Sequence, residues 1–517
     1  MMFLRIKPLD ASLRTAEQRT LARSLGAFQL TLLGVGATIG TGIFVLTAAA
    51  AQKAGPAMML SFVIAGLVCA LAALCYSELA AMAPISGSAY TFSYAAVGEL
   101  PAWLVGWALV LEYAVSASAV AVGWSGYFVG LLGNATGIRI PEALVRGPVW
   151  SLQGLIPQAD FSHGVINLPA FSLVLLVTAL LVIGTKESAR INALLVVVKI
   201  SALLMFAALA LPALRADNFI PFMPGGWFGP DKTHGMGMIG AAASIFFAYV
   251  GFDAVSTAAE ETRNPQRNVP LALLVSLGIC TFFYILVAAG AAGAIGAQPV
   301  LNAAGVPAAP GSAEFSRACA LPVHAQALVC SNEALAHVLR VIGKPAIGNL
   351  LGVVANLALP SVVLMMIYGQ TRIFFVMAHD GLLPASFGRI HTRFGTPHVV
   401  TMCTGLFVAV VAALLPIGRL ADISNSGTLF AFSMVCLTVL LLRRREPDRQ
   451  RPFQVPAIWV IAPIAAAGCT FLFLNLPFDA RLVLPVWGCL GLLIYVSYGY
   501  RNSHLARVSG PAEKPFE

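Results

Sequence analysis

Leu32–Thr47 reads LLGVGATIGTGIFVLT, and the fold follows from how that stretch is read. It lies in an apolar run from Ala27 to about Ala50, long enough to cross a bilayer as a helix. Its middle carries Gly34, Gly36, Gly40 and Gly42, with Thr38 and Thr41 between them. Each glycine costs a helix interior about 1 kcal/mol relative to alanine. Four of them within nine residues predict a break at membrane depth. Broken backbone is tolerated there only where protein or a cavity covers it. The freed N–H and C=O groups then suit a zwitterion, a carboxylate at one half-helix end and a cation at the other. Close packing of small residues is the competing reading, since Gly36 and Gly40 have the G-x-x-x-G spacing. The spacing is not that of a nucleotide-binding G-x-G-x-x-G turn, and no strand–helix–strand unit surrounds it.

The rest of the chain supports a membrane setting. Of 517 residues, 59% are hydrophobic and 10% charged, against about 25% charged in a soluble domain. The formal charge of +9 is a matter of topology rather than of nucleic acid. Twelve apolar spans are expected at about 27–51, 57–82, 101–131, 166–184, 191–214, 235–259, 270–295, 346–372, 398–416, 419–442, 456–475 and 482–500. With the N-terminus cytoplasmic, 20 Lys and Arg fall on the inner side and 10 on the outer. The positive-inside rule therefore places both termini in the cytoplasm. Residues 1–26 and 501–517 are read as cytoplasmic segments, and the long apolar run that follows the polar start excludes a cleavable secretory signal.

Charged and polar residues inside the spans mark candidates for function. Glu112 in the third span is read as functional or as direct support of a site. Glu78, near the inner end of the second, is read as solvated or structural. Lys199 sits about nine residues into the fifth span, too deep to snorkel easily. A charged ammonium is costly there, so Lys199 is a candidate proton carrier, with a permanently paired lysine as the alternative. The sixth span, GMIGAAASIFFAYVGFDAVSTAAEETRNPQRNVP, is interrupted at Gly251 and Asp253. Two interrupted spans five apart fit two halves of inverted topology with a site between them. Asp253 is read as capping or salt-bridging rather than touching a ligand. Residues 82–99 are expected to be a plain connector, with a hinge or re-entrant segment as the other reading, and 132–165 to lack strong pattern. The loop 296–345 carries a short amphipathic helix over Asn332–Ile342. Asn356, Pro360 and Ser361 of the eighth span face a cavity or bond between helices. Spans eleven and twelve, 456–500, look peripheral and unbroken. Cys319 and Cys330 share the outer loop, a compartment that permits a disulfide; two free thiols are the other reading. No C-x-x-C or H-x-x-x-H pair points to a metal, and no cofactor motif is present.

GATIGTGIF in the first span, SELAAMAPISGSAY after the second, LEY in the third, FFAYVGFDAVSTAAEETRNPQRNVP at the sixth and GQTRIFFVMAHDGLLP after the eighth resemble amino-acid permeases. The superfamily is that of the amino acid–polyamine–organocation (APC) transporters. The nearest branch resembles the bacterial members of the cationic amino acid transporter family. That resemblance implies an all-α polytopic membrane protein with a LeuT-like inverted five-plus-five repeat. The transporter core would be 27–442, its repeats about 27–214 and 235–442, with discontinuous helices one and six and two extra C-terminal helices. It would sit in a bacterial inner membrane.

Carried over by motif, Ile39, Gly40, Thr41 and Gly42 would hold a substrate carboxylate. Carbonyls of Ala37 and Thr38, with Phe246, Ala248 and Tyr249, would hold the ammonium. Phe246 and Gly251 would border the side chain and outer gate. Lys199 would occupy the place of sodium in sodium-coupled relatives, with Ser361 nearby, as a proton-coupling pair. Glu112 and Asn356 would support the site. Pro360 departs from the small or hydroxylated residue expected beside Ser361. The implied partners are an amino acid, H+ and membrane lipid, with an accessory subunit or homo-oligomer left open. The implied function is proton-coupled import of neutral or varied amino acids by alternating access. The alternatives are an amino-acid or amine exchanger and a carrier of arginine, lysine or ornithine. A membrane enzyme would need a deep nucleophile paired with a base, and His234, His379, His391 and His398 near span ends supply none.

Overall fold

The computed structural model describes residues 5–6, 25–84, 88–153, 156–161, 164–184, 189–229, 235–303, 305–308, 312–320 and 327–509. Most of the expected N-terminal segment, Lys186, and 510–517 lie outside them, as does the side chain of Thr41. Helices dominate. Eight stretches are long and apolar enough to cross a membrane: Leu46–Met82, Glu99–Thr136, Ala193–Ala213, Gly237–Ser256, Pro265–Ile295, Pro345–His379, Ile417–Arg445 and Phe478–Asn502. Four shorter apolar helices, Ala27–Thr38, Leu168–Ile183, His398–Leu414 and Ile458–Leu474, lie between them. The chain is therefore a polytopic helical membrane protein.

Burial sorts these helices. Glu99–Thr136 is enclosed along almost all of its apolar length, packed against Pro345–His379 and Ile417–Arg445. Phe478–Asn502 is barely enclosed. Outer helices instead turn large apolar side chains outward: Leu60, Val63 and Leu67 on one, Leu176, Leu180 and Ile183 on another. An apolar exterior of this extent is what a lipid solvent requires, since water would not tolerate contiguous patches of that kind.

Within the described residues several expectations are corrected. The region after the second span is not an unstructured connector: Ser88–Ala96 is a helix, and its Tyr90 and Tyr94 are buried. The region 132–165 is ordered in part. The long helix continues to Thr136 and stops at Gly137, whose φ of +75° needs no Cβ. An antiparallel hairpin follows, Val149–Gln153 with Ile156–Asp160. The stretch Phe478–Asn502 is not unbroken α-helix, because Tyr495–Gly499 widens into a π turn. The outer-loop helix spans Ala334–Val341, and Cys319 and Cys330 are disulfide-bonded with Cα atoms 5.2 Å apart.

Glu78 is not solvated. It is 1% exposed, and its carboxylate accepts hydrogen bonds from Arg443 Nε (2.7 Å), Arg443 Nη2 (2.9 Å) and the Val455 amide (2.8 Å). Pro360 also has a local consequence. With no N–H it leaves the Asn356 carbonyl without its helical donor, and the Trp124 indole, 3.0 Å away, donates in its place.

Candidate functional site

The first rod is interrupted where its glycines predict. Ala27–Thr38 is helical, Ile39 and Gly40 are not, and the helix resumes as Thr41–Phe44 and Leu46–Ala54. The sixth rod runs as Gly237–Ile245, tightens into a 3-10 turn at Phe246–Tyr249, leaves helical geometry at Val250, and resumes at Ala254–Thr257. Gly251 has φ of +109°, a conformation that disfavours any side chain.

The two interruptions lie against each other. A Cβ on Gly42 would sit 2.3 Å from Ala248 Cα. A Cβ on Gly251 would sit 2.8 Å from the Ala37 carbonyl oxygen. Main chain thus meets main chain at two points, which only glycine permits. The close-packing and broken-helix readings of the first span are both right here. Gly40 has only an ordinary side-chain neighbour, Val362, and Gly42 and Gly251 make the main-chain contacts.

Breaks expose carbonyls that the helix no longer satisfies, and the structure shows who serves them. The Tyr284 hydroxyl, from Pro265–Ile295, lies 2.9 Å from Thr38 O and 2.6 Å from Ala248 O, so one phenol joins both rods. Tyr127 donates to Phe44 O at 2.8 Å. Asn425 Nδ2 donates to Ala243 O and Ser244 O, at 2.8 and 2.7 Å, at the end of Gly237–Ile245. Tyr249 reaches away to Phe62 O at 2.8 Å, beside Gly66, where a Cβ would crowd its hydroxyl. Tyr284, Tyr127 and Asn425 were not singled out from sequence. The available signal is a tyrosine or asparagine deep in an apolar helix, whose polar tip must find a partner.

The remaining candidates fall around this core. Lys199 is 1% exposed and donates to Gly36 O at 2.9 Å, on the first rod just before its break. Ser361 Oγ donates to Ala358 O within its own helix, at 2.7 Å. Asn356 Nδ2 likewise donates to Gly352 O, at 2.9 Å. Thr38 Oγ1 donates to Gly34 O at 2.8 Å, so its hydroxyl is committed to the helix and only its carbonyl faces the sixth rod. Phe246 is fully buried and meets Phe432 edge-on at 6.0 Å. Asp253 Oδ2 accepts from the Tyr113 hydroxyl at 2.9 Å, a neutral partner in place of an expected cap or salt bridge. Glu112, next to Tyr113, is fully buried, and neither of its oxygens has a hydrogen-bond partner; nor has Asp253 Oδ1. No cluster of three or more His, Cys, Asp or Glu suited to a metal occurs among the described residues.

Both ends of the rod pair are fastened. At one end Leu25 donates to Glu261 O (3.1 Å) and accepts from the Arg263 amide (2.8 Å), a strand-like bridge from the start of the first rod to the end of the sixth. Arg372 pairs with Glu261 at 3.4 Å there. At the other end Lys53 lies 3.1 Å from Asp422 Oδ2, and Ser244 hydrogen-bonds to both of them. That triad ties Leu46–Ala54, Gly237–Ile245 and Ile417–Arg445 together.

Residues 25–496 match the family model described as amino acid permease. The chain is 41% identical over 496 residues to a branched-chain amino acid permease, BcaP, of Bacillus subtilis, covering 96% of this chain and 97% of that one. It is 38% identical over 502 residues to a methylthioribose transporter of the same organism, covering 97% and 98%. A vacuolar cationic amino acid transporter 2 of Arabidopsis thaliana is 35% identical over 454 residues, 86% of this chain and 64% of that protein. The match spans both broken rods, their fastenings and most of the last helices, and the chain belongs to the amino acid permease family, as an integral membrane permease of the APC superfamily.

Proposed function

We propose that this permease imports amino acids with neutral side chains by alternating access, coupled to protons. The observation that carries the reading is the contact between the two interrupted rods, with main-chain carbonyls of Thr38 and Ala248 turned to one tyrosine hydroxyl. Main-chain groups recognise what all amino acids share, the ammonium and the carboxylate. Carbonyls of Ala37, Thr38 and Ala248 serve the ammonium, and amides of Gly40, Thr41 and Gly42 serve the carboxylate. Phe246 and the Gly251 turn bound the side-chain space, with Tyr249 behind them. Twelve spans in two inverted repeats, both termini cytoplasmic, put the Lys53 end of the rod pair outside and the Leu25 end inside. Import is then alternate release of these two fastenings.

Lys199 is the proton-coupling residue. It holds the Gly36 carbonyl from a buried position, so a proton gained or lost there changes the grip on the first rod. Neutral substrates are favoured because two relatives matched over nearly their full length are, by their names, a branched-chain amino acid permease and a methylthioribose transporter. A second reading has its own support. The buried carboxylates of Glu112 and Asp253 include three oxygens without a partner, and they would balance a cationic side chain.

Uptake into proteoliposomes decides among these readings. Leucine accumulation driven by an inward proton gradient, lost in Lys199→Ala with binding retained, supports the symport. Uphill uptake by that variant at the wild-type rate sinks the coupling role. Arginine competing better than leucine, and losing its advantage in Glu112→Gln, transfers the assignment to cationic substrates. Counterflow without net uptake transfers it to exchange.

A further inference from the structure

A cavity lies outside the rod pair, walled in part by the last helices. It measures about 410 Å³ and lies among Glu99–Thr136, Ile417–Arg445, Ile458–Leu474 and Phe478–Ile494. Its walls are almost wholly apolar: Leu104, Trp107, Phe430, Phe473, Leu484 and Trp487. Trp107 and Trp487 stack at 4.8 Å, and each indole donates to the other residue's carbonyl at 2.8 Å, so this wall is rigid. One cation, Arg481, also lines the cavity. Its Nη1 donates to Leu474 O at 3.0 Å, while its Nε is buried with no partner. The nearest acid in sequence, Asp479, is already engaged by Arg419 at 3.0 Å. A guanidinium cannot shed its charge, and this one, beside the Phe478 ring at 5.8 Å, makes no ion pair among the described residues.

We propose that this cavity is a binding site for an anionic phospholipid, one acyl chain in the tryptophan-walled space and the phosphate on Arg481. Three observations fix the class. The apolar volume, within the range of about 300–1,000 Å³ typical of ligand sites, takes a hydrocarbon chain. A cation with no ion pair among the described residues takes a negative headgroup. Arg481 stands on the fourth residue of its helix, near a membrane surface, where lipid phosphates are the abundant anion. Guanidinium forms two parallel hydrogen bonds to phosphate, and Nε is one of the donors that geometry uses.

The test uses the purified full chain in nanodiscs containing phosphatidylglycerol or phosphatidylcholine with brominated acyl chains. Bromine quenches tryptophan on contact, and Trp487→Phe identifies the part of the signal that comes from the cavity wall. At equal mole fraction, brominated phosphatidylglycerol quenches that part at lower lipid content than phosphatidylcholine. Arg481→Gln reduces this preference by about tenfold, the loss expected for a hydrogen bond to a charged group. In the unaltered protein, high salt weakens the same preference, a check independent of whether the variant folds. Equal quenching by both lipids at every salt concentration overturns the proposal. So does a dimer by native mass measurement with the cavity tryptophans unquenched, which would make this face an interface between copies.

Discussion

Replacing Gly42 by alanine tests the site at its tightest point. The new Cβ would stand 2.3 Å from Ala248 Cα and 2.5 Å from Ala248 Cβ. Those atoms belong to the backbone turn of the sixth rod and cannot rotate away. Relief requires the rods to part by about 1 Å, roughly the step from such a clash to ordinary contact. Overpacking of this kind costs about 1–3 kcal/mol. The parting also moves Ala248 O relative to Thr38 O, the pair that Tyr284 spans. Substrate affinity should fall by about 5- to 150-fold, the range to which that energy converts. Gly40→Ala is the paired control. Its Cβ would lie 3.4 Å from a Val362 methyl, an ordinary contact with a side chain, and Gly40 is not in the left-handed region. An unstrained Gly→Ala change is worth about 0.4–1 kcal/mol, so less than about fivefold is expected. Leucine binding to purified protein, by calorimetry or radioligand capture, measures both, with size-exclusion profiles to confirm folding. Wild-type affinity in Gly42→Ala, or a greater loss in Gly40→Ala than in Gly42→Ala, refutes the crossing of the two rods as the binding site.

Other perturbations follow from the same geometry. Tyr284→Phe leaves the Thr38 and Ala248 carbonyls both unserved in the empty protein, at a cost of about 1–3 kcal/mol, so its melting temperature should fall and leucine should restore it, whereas Tyr249→Phe, which removes a hydroxyl pointed at Phe62, should not be rescued by leucine. Asp422→Asn loosens the Lys53–Ser244 fastening, a half-buried pair worth about 1–3 kcal/mol between the exposed and buried limits; hydrogen exchange in 46–54 and 237–245 should accelerate while that in 99–136 does not. Glu78→Gln leaves Arg443 and Arg451 without their anion, and breaking a buried pair costs about 3–5 kcal/mol, so the melting temperature should drop by several degrees.

The fold was legible in the sequence wherever one residue type forces one outcome. Glycines at 34, 36, 40 and 42 announce an interruption, because no helix in lipid carries so many without a use for them. Eight long and four shorter apolar helices lie where apolar runs were expected, the first run being divided between Ala27–Thr38 and the start of Leu46–Met82. Pairings between distant segments were not legible. Nothing in Tyr284 itself says that its hydroxyl will bridge Thr38 and Ala248, residues 246 and 36 positions away. Glu78 illustrates the same limit. Its place near a span end reads as solvated or structural, and position alone could not say which; the Arg443 guanidinium and the Val455 amide close over it and make it structural. The helix Ser88–Ala96 was hidden by the Gly and Pro around it, which mark breaks without saying what lies between them.

The tyrosine that joins the rods also bears on how a substrate would be sensed. A phenol has one proton, and the Tyr284 oxygen faces two carbonyls at hydrogen-bond distance. At any instant one of the two, Thr38 O or Ala248 O, lacks a full donor. An unserved buried carbonyl costs about 1–3 kcal/mol. An α-ammonium brings three donors and a charge, so its arrival at the breaks satisfies both carbonyls at once while the phenol keeps its own bond. Binding energy would then come from groups the empty protein leaves short, in the place where the two rods must move together. The consequence is specific to amines: an N-acetylated amino acid, with one donor and no charge, should bind far more weakly than its parent, and the difference should widen in Tyr284→Phe, where an ammonium still serves both carbonyls and a single N–H serves only one. Equal discrimination in the two proteins would remove Tyr284 from substrate sensing and leave it a purely structural tie.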